Sequence, residues 1–175
     1  MASRISRDFY YLGIAEATSQ RSSCLNKHYG AVIVKDDRII STGYNGAPRG
    51  CVNCCDTNHC LRLEKGVKRG TDYADTCLSV HAEQNAIISA SRIDMNCASL
   101  YLYGHDVVRD DIVKHPDCCS ICKRMIINAG IETVIIADED VGIPYAEGDI
   151  GYKAHIIKVE DWVNDPVLLN PALGY

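Results

Sequence analysis

The chain has 175 residues, 47% of them apolar and 23% charged, which fits one globular domain over residues 1–175 with its own core. Its net charge is −5, and the longest basic hint is Lys65 to Arg69, so a nucleic-acid backbone is not the expected partner. The first residues lack the apolar run of a signal peptide and no stretch approaches bilayer length, so a cytoplasmic protein without membrane contact is expected.

Residues 7 to about 21 carry Phe9, Leu12, Ile14 and Ala15 near helical spacing, which predicts a first amphipathic helix. Residues 30–46 read as two β-branched runs around a Lys-Asp-Asp-Arg turn, a β-hairpin. Residues 48–80 show little periodicity and are rich in Cys, Gly, Asp and Asn. A loop that long inside a compact domain is functional or needs a staple. Residues 81–93 predict a helix with an apolar face through Ala82, Ala86, Ile87 and Ala90. A strand is expected over 98–104, a loop over 105–117, and a helix over 118–130 closed by Gly130. Residues 133–138 and 154–160 read as further strands. This order predicts a layered α/β sheet with an antiparallel hairpin, its later strands joined by helical crossovers.

Ten cysteines are the strongest compositional signal, and eight fall in residues 51–77 or 118–122. In a chain with no mark of secretion, such clustering favours metal sites over disulfides. Two short motifs open two predicted helices: His81-Ala82-Glu83 and Cys119-Ser120-Ile121-Cys122. One His and two Cys supply the three ligands of a catalytic zinc site that keeps a position open for water. A helix N-terminus also favours thiolates. Glu83 is too close to His81 to be an obvious fourth ligand, and its carboxylate suits proton transfer. H-x-E followed by P-C-x-x-C is a known signature of zinc deaminases. Each residue alone has a plainer use, as a helix cap, a dipole partner or a buried thiol. A second metal site is expected from Cys24, Cys54, Cys60 and Cys77, which would pin the long loop, with Cys51, Cys55 and His59 as competitors.

Together, RSSC…GAVIV, STGYNGAPRG (41–50), HAEQNAI (81–87) and CSICKRMIINAGI (119–131) resemble the deoxycytidylate deaminase family of the cytidine deaminase superfamily over most of residues 21–137. The resemblance implies a three-layer α/β/α fold with a central mixed five-stranded sheet. It implies hydrolytic deamination of dCMP to dUMP, with His81, Cys119 and Cys122 on a catalytic Zn2+ and Glu83 as proton shuttle. It further implies a structural Zn2+ with variable ligands. Asn45 would hold the substrate sugar, and Ala82 would also contact substrate. Asn26 and Lys27, with Arg49 as a rival, would meet the phosphate, and Tyr145 could cover the pocket. Gly43, Tyr44 and Gly46 would lie near an effector site for dCTP as activator and dTTP as inhibitor, with Mg2+ accompanying the triphosphate. A homo-oligomer, a hexamer, is expected. Pro116-Asp117-Cys118 departs from the family habit of Pro directly before the first ligand Cys, which leaves Cys118 a competitor of Cys119.

The rival readings are a deaminase of dCTP or free cytidine, an adenosine deaminase acting on RNA, and a non-catalytic zinc-containing nucleotide binder. A zinc-stapled interaction module would leave the HAE and CSIC pair unexplained.

Overall fold

The computed structural model describes residues 4–67, 76–139 and 153–165. A sheet runs in the order β2-β1-β3-β5-β6, from β1 (Lys27–Lys35), β2 (Arg38–Tyr44), β3 (Ser99–Asp106), β5 (Thr133–Asp138) and β6 (Lys153–Lys158). A short β4 (Asp111–Ile112) pairs with β3 outside that path, inside the stretch expected to be loop. β3 and β5 are parallel, and the other pairs are antiparallel. The crossover expectation therefore applies to β3–β5, whereas β6 runs against β5.

Alternation along the strands makes two cores. Val32, Val34, Tyr101, Tyr103, Ile135 and Ala137 face α1 (Arg7–Ser19), which buries Phe9, Leu12 and Ala15 against them. The Ser6 hydroxyl caps α1 by accepting from Phe9 N at 3.4 Å. Gly30 is required where α1 crosses β1, because a β-carbon there would run into the carbonyl of Ala15. On the opposite face Ala31, Ile33, Leu100, Leu102, Val134 and Ile136 meet the helices that carry the predicted motifs. Helices thus cover both faces of a mixed sheet, as expected, but β4 makes it six-stranded where five strands were expected. The β1–β2 turn places Asp36 and Asp37 at φ 50° and 60°, the double left-handed geometry that Asp tolerates in a two-residue hairpin.

Three local expectations change. The helix expected over 81–93 is broken into α4 (Ala82–Ile88) and α5 (Arg92–Met95), because Ser91 caps a new helix by accepting from Asp94 N. The long 48–80 segment contains α2 (Cys54–Thr57) and α3 (Leu61–Glu64). The last strand stops at Lys158 and turns into α7 (Val159–Val163), which buries Val159 and Trp162 on the sheet. Tyr101 and Tyr103 are core residues, and the Tyr101 hydroxyl donates to Asp8 Oδ1 at 2.9 Å. No helix among the described residues is long and apolar enough to cross a membrane.

Candidate active site

Two helices bring the motifs together. α4 lies on β2, where Ser41 Oγ donates to Ala86 O at 2.8 Å and Asn85 Nδ2 donates to Tyr44 O at 2.7 Å. Gly43 sits beneath it, and a β-carbon there would collide with Ala82 O and Ala86 N. α6 (Ser120–Ala129) buries Cys122, Ile126 and Ala129, and Gly130 closes it at φ 81°. The two helices pack against each other with their first turns adjacent.

His81 and Cys119 are the N-cap residues of these helices, both extended. Gln84 Oε1 accepts from His81 N at 2.8 Å and fixes the cap. Cys119 Sγ accepts from Cys122 N at 3.4 Å. His81 Nδ1 stands 3.5 Å from Cys119 Sγ and 3.3 Å from Cys122 Sγ. Among the described residues, only these three bring metal-ligating atoms within 4.8 Å of one another in a group. A borderline nitrogen and two soft sulfurs fit zinc.

The electrostatics suit the same ion. Hydrogen bonds from Cys122 outweigh burial and, with His81, bring Cys119 down to about 4, a thiolate at neutral pH. The bond to Cys119, and then burial, push Cys122 up. Burial pulls His81 down, but the bond to Cys119 and the Glu83 charge carry it up overall. Glu83 is 5% exposed, and burial raises its carboxyl although the His81 charge pulls the other way. Cys118 is buried with its thiol bonded to Glu83, and burial raises it well above an ordinary thiol. It stands outside the group of three ligand atoms.

The other expected residues are distributed around this centre. Asn45 is buried, with Oδ1 accepting from Tyr29 N at 2.7 Å and Nδ2 donating to Lys27 O at 2.9 Å. Lys27 Nζ is 3.3 Å from Asp106 Oδ2. Lys27 and Asp106 share the α4/α6 face by strand alternation with Ala31 and Leu102. Asn26 accepts from Val107 N at 2.9 Å, and Arg49 is exposed. Ala82 is fully buried. Tyr44 is exposed beside buried Gly43, and Gly46 is bridged to Val80. Tyr145 lies outside the described residues.

Cys24, Cys54, Cys60 and Cys77 are all half-buried, whereas Cys51 and Cys55 are exposed. Burial raises Cys54 first, followed by the charges of Cys60, Cys24, Cys77 and Cys55. The four expected ligand atoms do not close to within 4.8 Å of one another as the other three do. His59 is turned to Glu64 at 2.9 Å. Sequence reasoning missed Gln84, although its place three residues after a cap is a legible capping pattern. It also missed the Cys118–Glu83 contact, which no sequence pattern signals.

The comparisons with known proteins agree with this geometry. A deoxycytidylate deaminase of Mycobacterium phage D29 is 40% identical over 141 residues, covering 78% of this chain and 98% of that protein. One from Enterobacteria phage T4 is 62% identical over an alignment covering 73% of this chain and 75% of that protein. The apo crystal structure of dCMP deaminase from cyanophage S-TIM5 matches with a TM-score of 0.51 at 27% identity, covering 76% of this chain and 83% of that one. The same enzyme solved with dCMP and dUMP gives a TM-score of 0.50. Residues 5–138 match the model of the cytidine and deoxycytidylate deaminase zinc-binding region, so the chain belongs to the cytidine and deoxycytidylate deaminase family.

Proposed function

We propose that this protein deaminates dCMP to dUMP and ammonia, with zinc held by His81, Cys119 and Cys122 and with Glu83 moving the protons. The observation that carries this reading is the meeting of one imidazole nitrogen and two cysteine sulfurs beside a buried carboxylate with a raised pKa. The deoxycytidylate deaminases among its relatives supply the substrate.

Zinc bound there would lower the pKa of a water towards roughly 7. Glu83 is placed to accept a proton from a water as the water oxygen adds to the ring carbon bearing the amine. The Glu83 carboxyl would then give that proton to the ring nitrogen, take the remaining proton of the added hydroxyl and pass it to the amine, which leaves as ammonia while the ring carbonyl forms. Burial serves this role, because a carboxyl with a raised pKa holds a proton long enough to deliver it. The Cys118 thiol and the packed first turn of α4 limit where the carboxylate can point.

The finer assignments follow from the resemblance and from placement. Asn45 holds the sugar with the N–H and the lone pair that its two backbone bonds leave over. Lys27, assisted by Asn26, meets the phosphate, and Ala82 and Tyr145 line the pocket. Cys24, Cys54, Cys60 and Cys77 bind a structural zinc, supported by their shared half-burial. Tyr44, beside Gly43 and Gly46, contacts a dCTP or dTTP effector with its Mg2+, in a cytoplasmic hexamer whose chains are single deaminase domains.

The test is ammonia release from dCMP, cytidine, dCTP and adenosine by zinc-loaded protein and its Glu83→Gln variant. Release from dCMP that the variant lacks, with zinc retained, supports both substrate and mechanism. Release from none of them would leave a nucleotide binder in place of an enzyme, and undiminished turnover by the variant would remove the role of Glu83.

A further inference from the structure

We infer that Asp138 is a positioning residue for the metal site, acting through the backbone of His115 on the segment that delivers Cys119. This rests on the reading of His81, Cys119 and Cys122 as zinc ligands.

The segment between β4 and α6 ends in Cys119, the cap of α6, and part of its course is strained. His115 has φ 48°, a left-handed conformation that a residue with a β-carbon avoids. Pro116 follows directly and further restricts the residue before it. Strain of this kind persists only where the surroundings impose it. Here the imposing group is visible. Asp138 ends β5 with 1% exposure, and its Oδ1 accepts the His115 backbone N–H at 3.2 Å.

β5 is an inner strand, paired to both β3 and β6, and Asp138 ends it paired with Lys153 of β6. A second contact secures the segment further on. Lys123 Nζ, on the first turns of α6, is 2.6 Å from Asp117 Oδ2 and lies 5.1 Å from the Trp162 ring centre.

Past His115 the segment packs inward, with Pro116 buried and Cys118 in the core, while its outer side borders a cleft. A cleft of about 390 Å³ is lined by His115, Pro116, Asp117 and Asp138 together with His155 and Trp162. His115 itself is exposed, so its backbone path depends on the bond to Asp138 more than on side-chain burial. Only Pro116, Asp117 and Cys118 lie between His115 and the Cys119 cap. A shift at His115 is therefore passed to Cys119 Sγ, which stands 3.5 Å from His81 Nδ1. An outer partner that orients a metal ligand is typically worth about 10–100-fold in metal affinity or activity.

The test compares zinc release to excess chelator, well below the unfolding temperature, with kcat and KM for dCMP. Asp138→Ala is expected to release zinc about tenfold faster or more and to lower kcat with little change in KM. Asp138→Asn keeps an acceptor oxygen and is expected to stay near the unaltered protein. Adding His115→Gly to Asp138→Ala is expected to recover slow release, because glycine takes the left-handed conformation without strain. A general loss of stability would lower the melting temperature without this recovery. Unchanged release and kcat in Asp138→Ala would overturn the inference, and so would absence of recovery with glycine.

Should Asp138→Ala not fold, hydrogen exchange at the His115 amide of the zinc-loaded protein decides. Slow exchange supports the bond, and exchange at the rate of an open loop overturns it. A protein that holds zinc but does not deaminate dCMP would refute the proposed function, while the release comparison would still judge Asp138.

Discussion

His81 and Cys119 hold the same place on two different helices, each the residue just before the first turn, with Nδ1 and Sγ 3.5 Å apart. Both side chains leave extended backbone, so both point past the helix start into the space between α4 and α6. The shared position explains how residues 38 apart in the chain come to flank one ion.

Replacement of the cysteines distinguishes ligands from neighbours. Cys119→Ala and Cys122→Ala are expected to lose the catalytic zinc and to lower deaminase activity more than about a hundredfold. Cys118→Ala should keep its zinc, because its sulfur is turned to Glu83. Metal analysis beside ammonia release checks this, and zinc loss in Cys118→Ala would return Cys118 to the ligand set.

Gly43→Ala tests the seat of α4. A β-carbon would meet the helix backbone at Ala82 and Ala86, and backbone cannot yield as a flexible side chain does. Overpacking of this kind costs about 1–3 kcal/mol. The displaced helix carries His81 and Glu83, so kcat should fall even in the fraction that remains folded. Thermal unfolding together with kcat measures both, and normal values would mean that α4 has room to move.

Lys27→Met separates phosphate binding from base binding. Its KM for dCMP should rise about tenfold, as for loss of a charge-assisted bond, while cytidine turnover stays unchanged. Equal effects on the two substrates would assign Lys27 to holding Asp106 and β3 instead.

The Lys27–Asp106 pair also predicts an acid limb. Burial favours the protonated Asp106, yet the Arg109 N–H, the Lys27 ammonium and the Val108 N–H together hold its pKa below the usual 3.8. A folded value below the unfolded one gives stability that is present above about pH 4 and lost as pH falls through the folded value. Urea unfolding between pH 3 and 6 should show this loss in the unaltered protein and a flatter profile in Asp106→Asn. Parallel profiles would mean that the pair does not contribute.

Cys54→Ser addresses the second metal. If Cys24, Cys54, Cys60 and Cys77 bind a structural zinc, this variant should lose that equivalent and keep the catalytic one. Stability should fall with the loss of the metal-closed loop. An unchanged zinc content would leave these four as half-buried thiols.

The sequence by itself determined the periodic elements and the identity of the converging side chains. β-Branched and apolar runs within residues 30–46, 98–104 and 133–138 read as strands, and the structure buries both faces of β1, β3 and β5 because a period of two sends neighbours to opposite sides. The spacing of His81, Glu83, Cys119 and Cys122 was legible because metal and proton chemistry need those residue types near helix starts. What only the tertiary structure decided are the relations between distant segments. The break at Ser91 follows a cap with Asp94 three residues on, a pattern the sequence carries, whereas the turn into α7 depends on burial of Trp162, which local pattern does not encode. That Cys119 and not Cys118 groups with His81 and Cys122 depends on side-chain direction, since adjacent residues at a helix cap point to different places. Asp138 was silent in the sequence, because its partner lies 23 residues away and the bond is to backbone, which carries no residue-specific signal.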